Sequence, residues 1–425
     1  MDRTYQYHFT PSKGWTNDPN GLVYVNGVYH LFYQHYPEDI VWGPMHWGHA
    51  VSRDLIHWEH KPVAIYPTET EYIFSGSCVY DKENVSGLGI AEQPPLVALY
   101  TAHNPATGEQ QQCVAYSTDL ENFKKFEGNP VIKNTLENAG FQKDFRDPKV
   151  FINTVKGGFS LVLAAGPKLE FYHSENLLSW KKTGEFDPGV RGFSGICECP
   201  DCFPLETEEG VKWVLTVSMI LSGEKVGMPV EERGFINSHV MQYFVGEFNG
   251  DTFADTECAK TPLILDYGLD NYAMVSFLHS PEPLLLGWGE NWDYVYKLPA
   301  EKVRGRMTLA RRCQLVKTNV GWRLRFEPVG DVNTKDRWDG VIPVGTSQRI
   351  YAESDDGPEM SVTKDEISIC GISAKRVQHG DCKVTALRDG SYFEIFADGG
   401  VTVFSVSVET MNLYQLEVRE KIESF

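Results

Sequence analysis

Along most of this chain apolar and polar positions alternate with a period of two. The stretch Val23-Tyr24-Val25-Asn26-Gly27-Val28-Tyr29-His30-Leu31-Phe32 is representative. Two alternating runs meet there at Asn-Gly, the pair that best accommodates a tight hairpin turn. Before residue 330 no segment keeps the three-and-four apolar spacing of an amphipathic helix over three turns. The elements predicted are short strands joined by turns.

The strands come in repeats. Ser52-Arg53-Asp54-Leu55-Ile56-His57-Trp58 recurs as Ser117-Thr118-Asp119-Leu120-Glu121-Asn122-Phe123 and as Ser174-Glu175-Asn176-Leu177-Leu178-Ser179-Trp180. A weaker echo is Gly246-Glu247-Phe248-Asn249-Gly250-Asp251-Thr252-Phe253. The aromatic positions 58, 123, 180 and 253 are 65, 57 and 73 residues apart, room for four strands and their loops, which is one propeller blade. Past residue 326 polar turns separate short alternating strands such as Tyr392-Phe393-Glu394-Ile395-Phe396, the texture of a small sandwich. The predicted class is all-β: a five-bladed β-propeller over 1–325, then a short β-sandwich over 326–425.

Charge and composition narrow the chemistry. Lys plus Arg is 39 and Asp plus Glu is 58, a net charge of −19. That balance repels nucleic acid and anionic membranes and suits a neutral small molecule. The first residues have no apolar signal core, and nine cysteines without regular spacing do not read as a disulfide framework, so a cytoplasmic enzyme is expected. Homo-oligomerisation stays open.

Three carboxylates stand in turn-forming contexts: Asp18 in Trp15-Thr16-Asn17-Asp18-Pro19-Asn20-Gly21, Asp147 in Arg146-Asp147-Pro148, and Glu198 in Cys197-Glu198-Cys199-Pro200-Asp201. A proline keeps its predecessor extended, so Asp18 is expected at a strand end. The innermost strands of a propeller bring distant residues to one channel mouth. Two carboxylates flanking a bond are what glycoside hydrolysis needs. Trp15, Trp42, Trp47, Phe74, Trp288 and Trp292 would offer faces for sugar stacking.

In their order, these motifs resemble the signature of glycoside hydrolase family 32, the invertases, inulinases and levanases. Gln34 in Tyr33-Gln34-His35-Tyr36-Pro37, Phe74-Ser75-Gly76-Ser77, Asp270-Asn271-Tyr272-Ala273, Gly287-Trp288 and Glu394-Ile395-Phe396-Ala397-Asp398-Gly399 agree. The resemblance implies a propeller with an appended sandwich. It also implies retaining hydrolysis that releases terminal β-D-fructofuranosyl units from sucrose and short fructo-oligosaccharides. Asp18 would be the nucleophile, Glu198 the acid/base, and Asp147 the support for fructose hydroxyls, with Arg146 keeping it ionised. Trp15, Asn17, Gln34, Trp42, Phe74, Ser75, Tyr272 and Trp288 would complete the pocket, without metal or other cofactor. Alternatives are action on polymeric inulin or levan, an inverting hydrolase for arabinan or xylan, or a non-catalytic sugar-binding homologue.

The chain departs from the family pattern at Thr16, where Met is usual, at Asn271, where Phe is usual, and in a longer segment at 223–237. Cys197, Cys199 and Cys202 could suggest a metal by spacing, but no second cysteine pair is near, so buried thiols are expected.

Overall fold

The period-two runs become strands in a computed structural model, which describes residues 5–90, 92–134, 142–222, 237–257, 259, 261–351 and 357–423. The segment 223–237 therefore lies almost wholly outside the described residues. Five antiparallel sheets follow one another along the chain, beginning with Gly14–Val25, Tyr72–Tyr80, Phe145–Ile152, Gly195–Thr207 and Tyr272–Ser276. These five first strands pack side by side in a ring, the fifth returning to the first. The ring is a five-bladed propeller. Val303–Arg304 closes it by pairing in parallel with Gly14 and Trp15, and Leu278 bridges to Val23.

The repeat has a physical origin in the turn between the third and fourth strands of a blade. Asp54 Oδ1 accepts from the amides of Ile56 and His57, Asp119 Oδ1 from Glu121 and Asn122, and Asn176 Oδ1 from Leu178 and Ser179. Each turn forces the following leucine left-handed: φ is 67° at Leu55, 68° at Leu120 and 63° at Leu177. In the weaker echo Asn249 makes the same bonds and Gly250 (φ 93°) takes the left-handed position, which costs it no Cβ clash. The aromatic that ends each copy pins the turn to the blade.

The last propeller strand is Gly321–Pro328, and the next strand, Arg337–Ile342, already belongs to the sandwich. One sandwich sheet contains Arg337–Ile342, Cys382–Asp389, Tyr392–Ala397 and Thr402–Ser407; the other contains Thr346–Arg349, Glu359–Val362, Glu366–Ile369 and Ile372–Lys375. Ile342, Met360, Ile367, Ile395 and Phe404 fill the space between them. A feature the alternation did not predict is the helix Val408–Glu423. Ser407 Oγ caps its start by accepting from the Thr410 amide, and Met411 and Tyr414 pack it on the sandwich core. Among the described residues no helix is long and apolar enough to cross a membrane.

Candidate active site

Every first strand carries one extra residue at the same level, where the ring opens. Thr16 pairs with His35 but Pro19 with Tyr33; Ile73 with Ala102 but Gly76 with Tyr100. The same slip separates Arg146–Ala164 from Lys149–Val162, Glu198–Ser218 from Asp201–Thr216, and Tyr272–Trp288 from Val275–Leu286. Neighbours on a regular strand point to opposite faces; a bulge re-aims them. Consecutive residues can then serve one site. In the third to fifth blades the bulged residue is left-handed: Asp147 (φ 64°), Cys199 (φ 43°) and Ala273 (φ 55°). Strain of that kind costs about 1–3 kcal/mol per residue and persists where packing enforces it.

The bulges assemble the three acids around a cavity of about 490 Å³. Asp18 Oδ1 accepts from Asn17 Nδ2 at 3.0 Å, and Oδ2 from Ser75 Oγ at 2.6 Å and Cys199 Sγ at 3.4 Å. Asp147 Oδ2 accepts from the Cys199 amide at 2.9 Å. Glu198 Oε1 accepts from Arg146 Nη2 at 3.0 Å and Oε2 from the Tyr272 hydroxyl at 2.7 Å. Arg146, Glu198 and Tyr272 hold equivalent bulge positions in consecutive blades, which is why they form a row.

Burial is the dominant electrostatic influence. It pushes the Asp18 carboxyl up, with Glu198 adding to the effect, while Ser75, Asn17 and Cys199 oppose it by donating. Asp147 is pushed up to about 7, again by burial foremost, against the pull of Arg146. The expected pull of Arg146 on Asp147 is present but is outweighed by burial. Its guanidinium bonds Asp144 at 2.7 Å and Glu198 at 3.0 Å, and only approaches Asp147 to 4.0 Å. The bulge turned it sideways to the next blade. Burial, then Asp147 and Asp18, hold the Cys199 thiol well up, so it donates as a neutral group. Burial and Glu198 do the same for the Tyr272 phenol.

Of the predicted residues, Asn17, Asp18, Gln34, Trp42, Phe74, Ser75, Arg146, Asp147 and Glu198 line the cavity. Gln34 uses its amide donors on Asn20 and the Ile73 carbonyl, which leaves its own oxygen facing inward. Trp15, Tyr272 and Trp288 stand behind the wall, fully buried. The Trp15 indole donates to Asn17 Oδ1 at 2.7 Å, which turns the amide donors of Asn17 toward Asp18. Trp288 packs on Trp15 and Trp292. Asn271 turns away to Asp266. Cys197 and Cys202 enter the apolar layer between the third and fourth blades, apart from Cys199. Among the described residues no group of three or more ligating side chains could hold a metal. The wall also includes His103, Gln110, Trp292 and Tyr296. His103 stacks on Phe74 with centroids 4.4 Å apart, and Trp42 meets Phe74 edge-on. Only Trp292 had a sequence signal; His103 and Gln110 follow no motif.

Residues 8–328 match the model for the glycosyl hydrolases family 32 N-terminal domain. The chain belongs to this family. Its sequence is 41% identical over 369 residues to the levanase of Bacillus subtilis, an alignment covering 84% of this chain and 52% of the levanase. It is 36% identical over 419 residues to an extracellular exo-inulinase of Aspergillus niger, covering 91% and 75%. The chain thus spans about half the length of the levanase. The crystal structure of an exo-inulinase from Aspergillus awamori superposes with a TM-score of 0.83 at 29% identity, covering 96% of this chain and 93% of that one. A fructofuranosidase from Schwanniomyces occidentalis complexed with fructosylnystose gives 0.80 at 25% identity, covering 95% and 91%.

Proposed function

We propose that this family 32 chain is a retaining β-fructofuranosidase that releases terminal fructose from sucrose and short fructo-oligosaccharides. The observation that carries the reading is the convergence of Asp18, Asp147 and Glu198 from three blades on one cavity. Asp18 attacks the anomeric carbon of the fructosyl unit. The bond to the leaving oxygen breaks, and Glu198 gives that oxygen its proton. Asp18 is then esterified to fructose. Glu198, now a carboxylate, takes a proton from water, whose oxygen attacks the same carbon and returns the electron pair to Asp18. Asp147 bonds the fructose hydroxyls where positive charge builds on the ring. Arg146 and Tyr272 fix the orientation of Glu198.

Levanase and exo-inulinase relatives and the fructosylnystose complex support fructans as a second substrate group. The compartment does not follow from the family, since the Aspergillus niger relative is named an extracellular enzyme. The test is fructose release from sucrose, kestose, inulin and levan, with Asp18→Ala and Glu198→Ala as controls. Release by the native chain that falls by about 10³-fold or more in both variants is expected. A folded chain that releases fructose from none of the four overturns the reading.

A further inference from the structure

Tyr272 reaches Glu198 from the shortest first strand of the five blades. That strand has five residues, Tyr272–Ser276, and Tyr272 is the first of them. In the third blade Phe145 pairs with Ala165 ahead of Arg146, and in the fourth Gly195, Ile196 and Cys197 all pair ahead of Glu198. Among the described residues no rung of the fifth blade's first hairpin precedes Tyr272. Yet the next residue, Ala273, is left-handed at φ 55°, a conformation that persists only where the flanking chain is held.

The sandwich does the holding. Its strand Thr402–Ser407 lies at the edge of its sheet, and residues 266–270 run along that open edge. The Tyr267 amide donates to the Val403 carbonyl at 2.8 Å, and the Asp270 amide to the Ser405 carbonyl at 2.9 Å. Gly268 permits the approach, since a Cβ there would lie 2.0 Å from the Ser405 carbonyl oxygen. Asp270 closes the contact. Its Oδ2 accepts from the Ser407 amide at 2.6 Å and from the Thr410 hydroxyl, and its own carbonyl accepts from the Tyr392 hydroxyl at 2.8 Å. Two residues on, the chain enters the bulge that aims Tyr272 at Glu198. The sandwich thus supplies the rungs that the fifth blade lacks.

We propose that Asp270 is a positioning residue for Glu198, acting through Tyr272, so that the sandwich supports the acid/base as well as packing on the propeller. The inference rests on the fructosidase reading, in which Glu198 keeps one orientation through two proton transfers. The test is kcat and KM per folded molecule, on whichever of the four substrates above the native chain cleaves fastest. The variants are Asp270→Ala, Tyr392→Phe and Tyr272→Phe, with each of the first two also combined with the third. Asp270→Ala is expected to lower kcat about fivefold or more, with KM changed less than about twofold. In the Tyr272→Phe background the same substitution should cost less than about twofold, because the hydroxyl it positions is already gone. Tyr392→Phe removes only the donor to the Asp270 carbonyl. It should lower kcat about two- to threefold, and that loss too should vanish in the Tyr272→Phe background. Should Asp270→Ala fail to fold, Tyr392→Phe decides alone by the same contrast. An unchanged kcat in the folded variants, or a loss that multiplies in full with that of Tyr272→Phe, overturns the positioning role and leaves the fructosidase reading standing. No fructose from any of the four substrates by the native chain overturns both.

Discussion

Two regions of this molecule bury several carboxylates, and they treat them in opposite ways. At the seam between propeller and sandwich, Arg311 meets Glu394 at 2.6 Å and Asp266 at 2.9 Å, while His8 lies between Asp389 at 2.8 Å and Glu394 at 3.0 Å. Burial alone would raise Glu394 and Asp389, but the cations and amide donors hold both below the usual range. At the channel mouth Asp18 is bonded by neutral donors, Asp147 has for a cation only the Arg146 guanidinium at 4.0 Å, which Asp144 and Glu198 hold more closely, and both rise. Asp270 supports the rule from within the seam. Its carboxylate is bonded by Thr410 and the Ser407 amide rather than by a cation, and it is pushed up to about 7, chiefly by burial. A hydrogen-bonded cation holds a buried carboxylate in the ionised form; without one, burial raises it.

The largest test breaks each region in its own currency. Asp18→Asn and Glu198→Gln should cost about 10³-fold or more in kcat without lowering the unfolding midpoint. Arg311→Met should do the reverse. It leaves Asp266 without its cation and Glu394 with His8 alone, and a loss of about 3–5 kcal/mol in urea unfolding is expected. Per folded molecule, its fructose release should stay within an order of magnitude of native. A seam variant that keeps its stability would mean that the ion pairs there hold nothing together.

Asp147→Asn sharpens the contrast by pH. A carboxyl whose folded pKa lies above its unfolded value favours folding below the unfolded value, and that contribution is lost as pH rises through the folded one. For Asp147 the window runs from about 4 to about 7. The amide variant removes the buried charge, so it should be more stable than the native chain by about 1–3 kcal/mol at pH 8 and little changed at pH 4. Denaturant titrations at the two pH values check this. An equal effect at both would show that Asp147 does not titrate on folding in this window.

How much of this was legible follows from how local each feature is. The repeat could be read because one short turn demands an acceptor, a left-handed residue and an aromatic within seven positions, and Asn249-Gly250 satisfies the same demand by other means. The acids could be read because proline marks the bulge. The direction of Arg146 could not, because a one-residue slip against Ala164 and Val162 decides whether it faces Asp147 or the next blade. His103 and Gln110 were invisible for a related reason: they come from second and third strands, which carry no such punctuation. Nor did the alternation announce the helix Val408–Glu423, which the preceding strand caps through Ser407.

Tyr272→Phe gives the finest reading of the channel mouth. The hydroxyl donates one hydrogen bond, to Glu198 Oε2 at 2.7 Å, from a ring that is otherwise buried in the central core. Phenylalanine keeps that packing and removes the donor alone. Glu198 must give its proton to the leaving oxygen in one step and, as a carboxylate, take one from water in the next. Both steps need its two oxygens held in place. Losing the tyrosine donor should therefore lower kcat about tenfold while KM for sucrose changes less than about twofold. A merely structural tyrosine would lower stability and leave kcat per folded molecule unchanged. An unchanged kcat would hand the orientation of Glu198 to Arg146 alone, the one other group that bonds its carboxylate among the described residues.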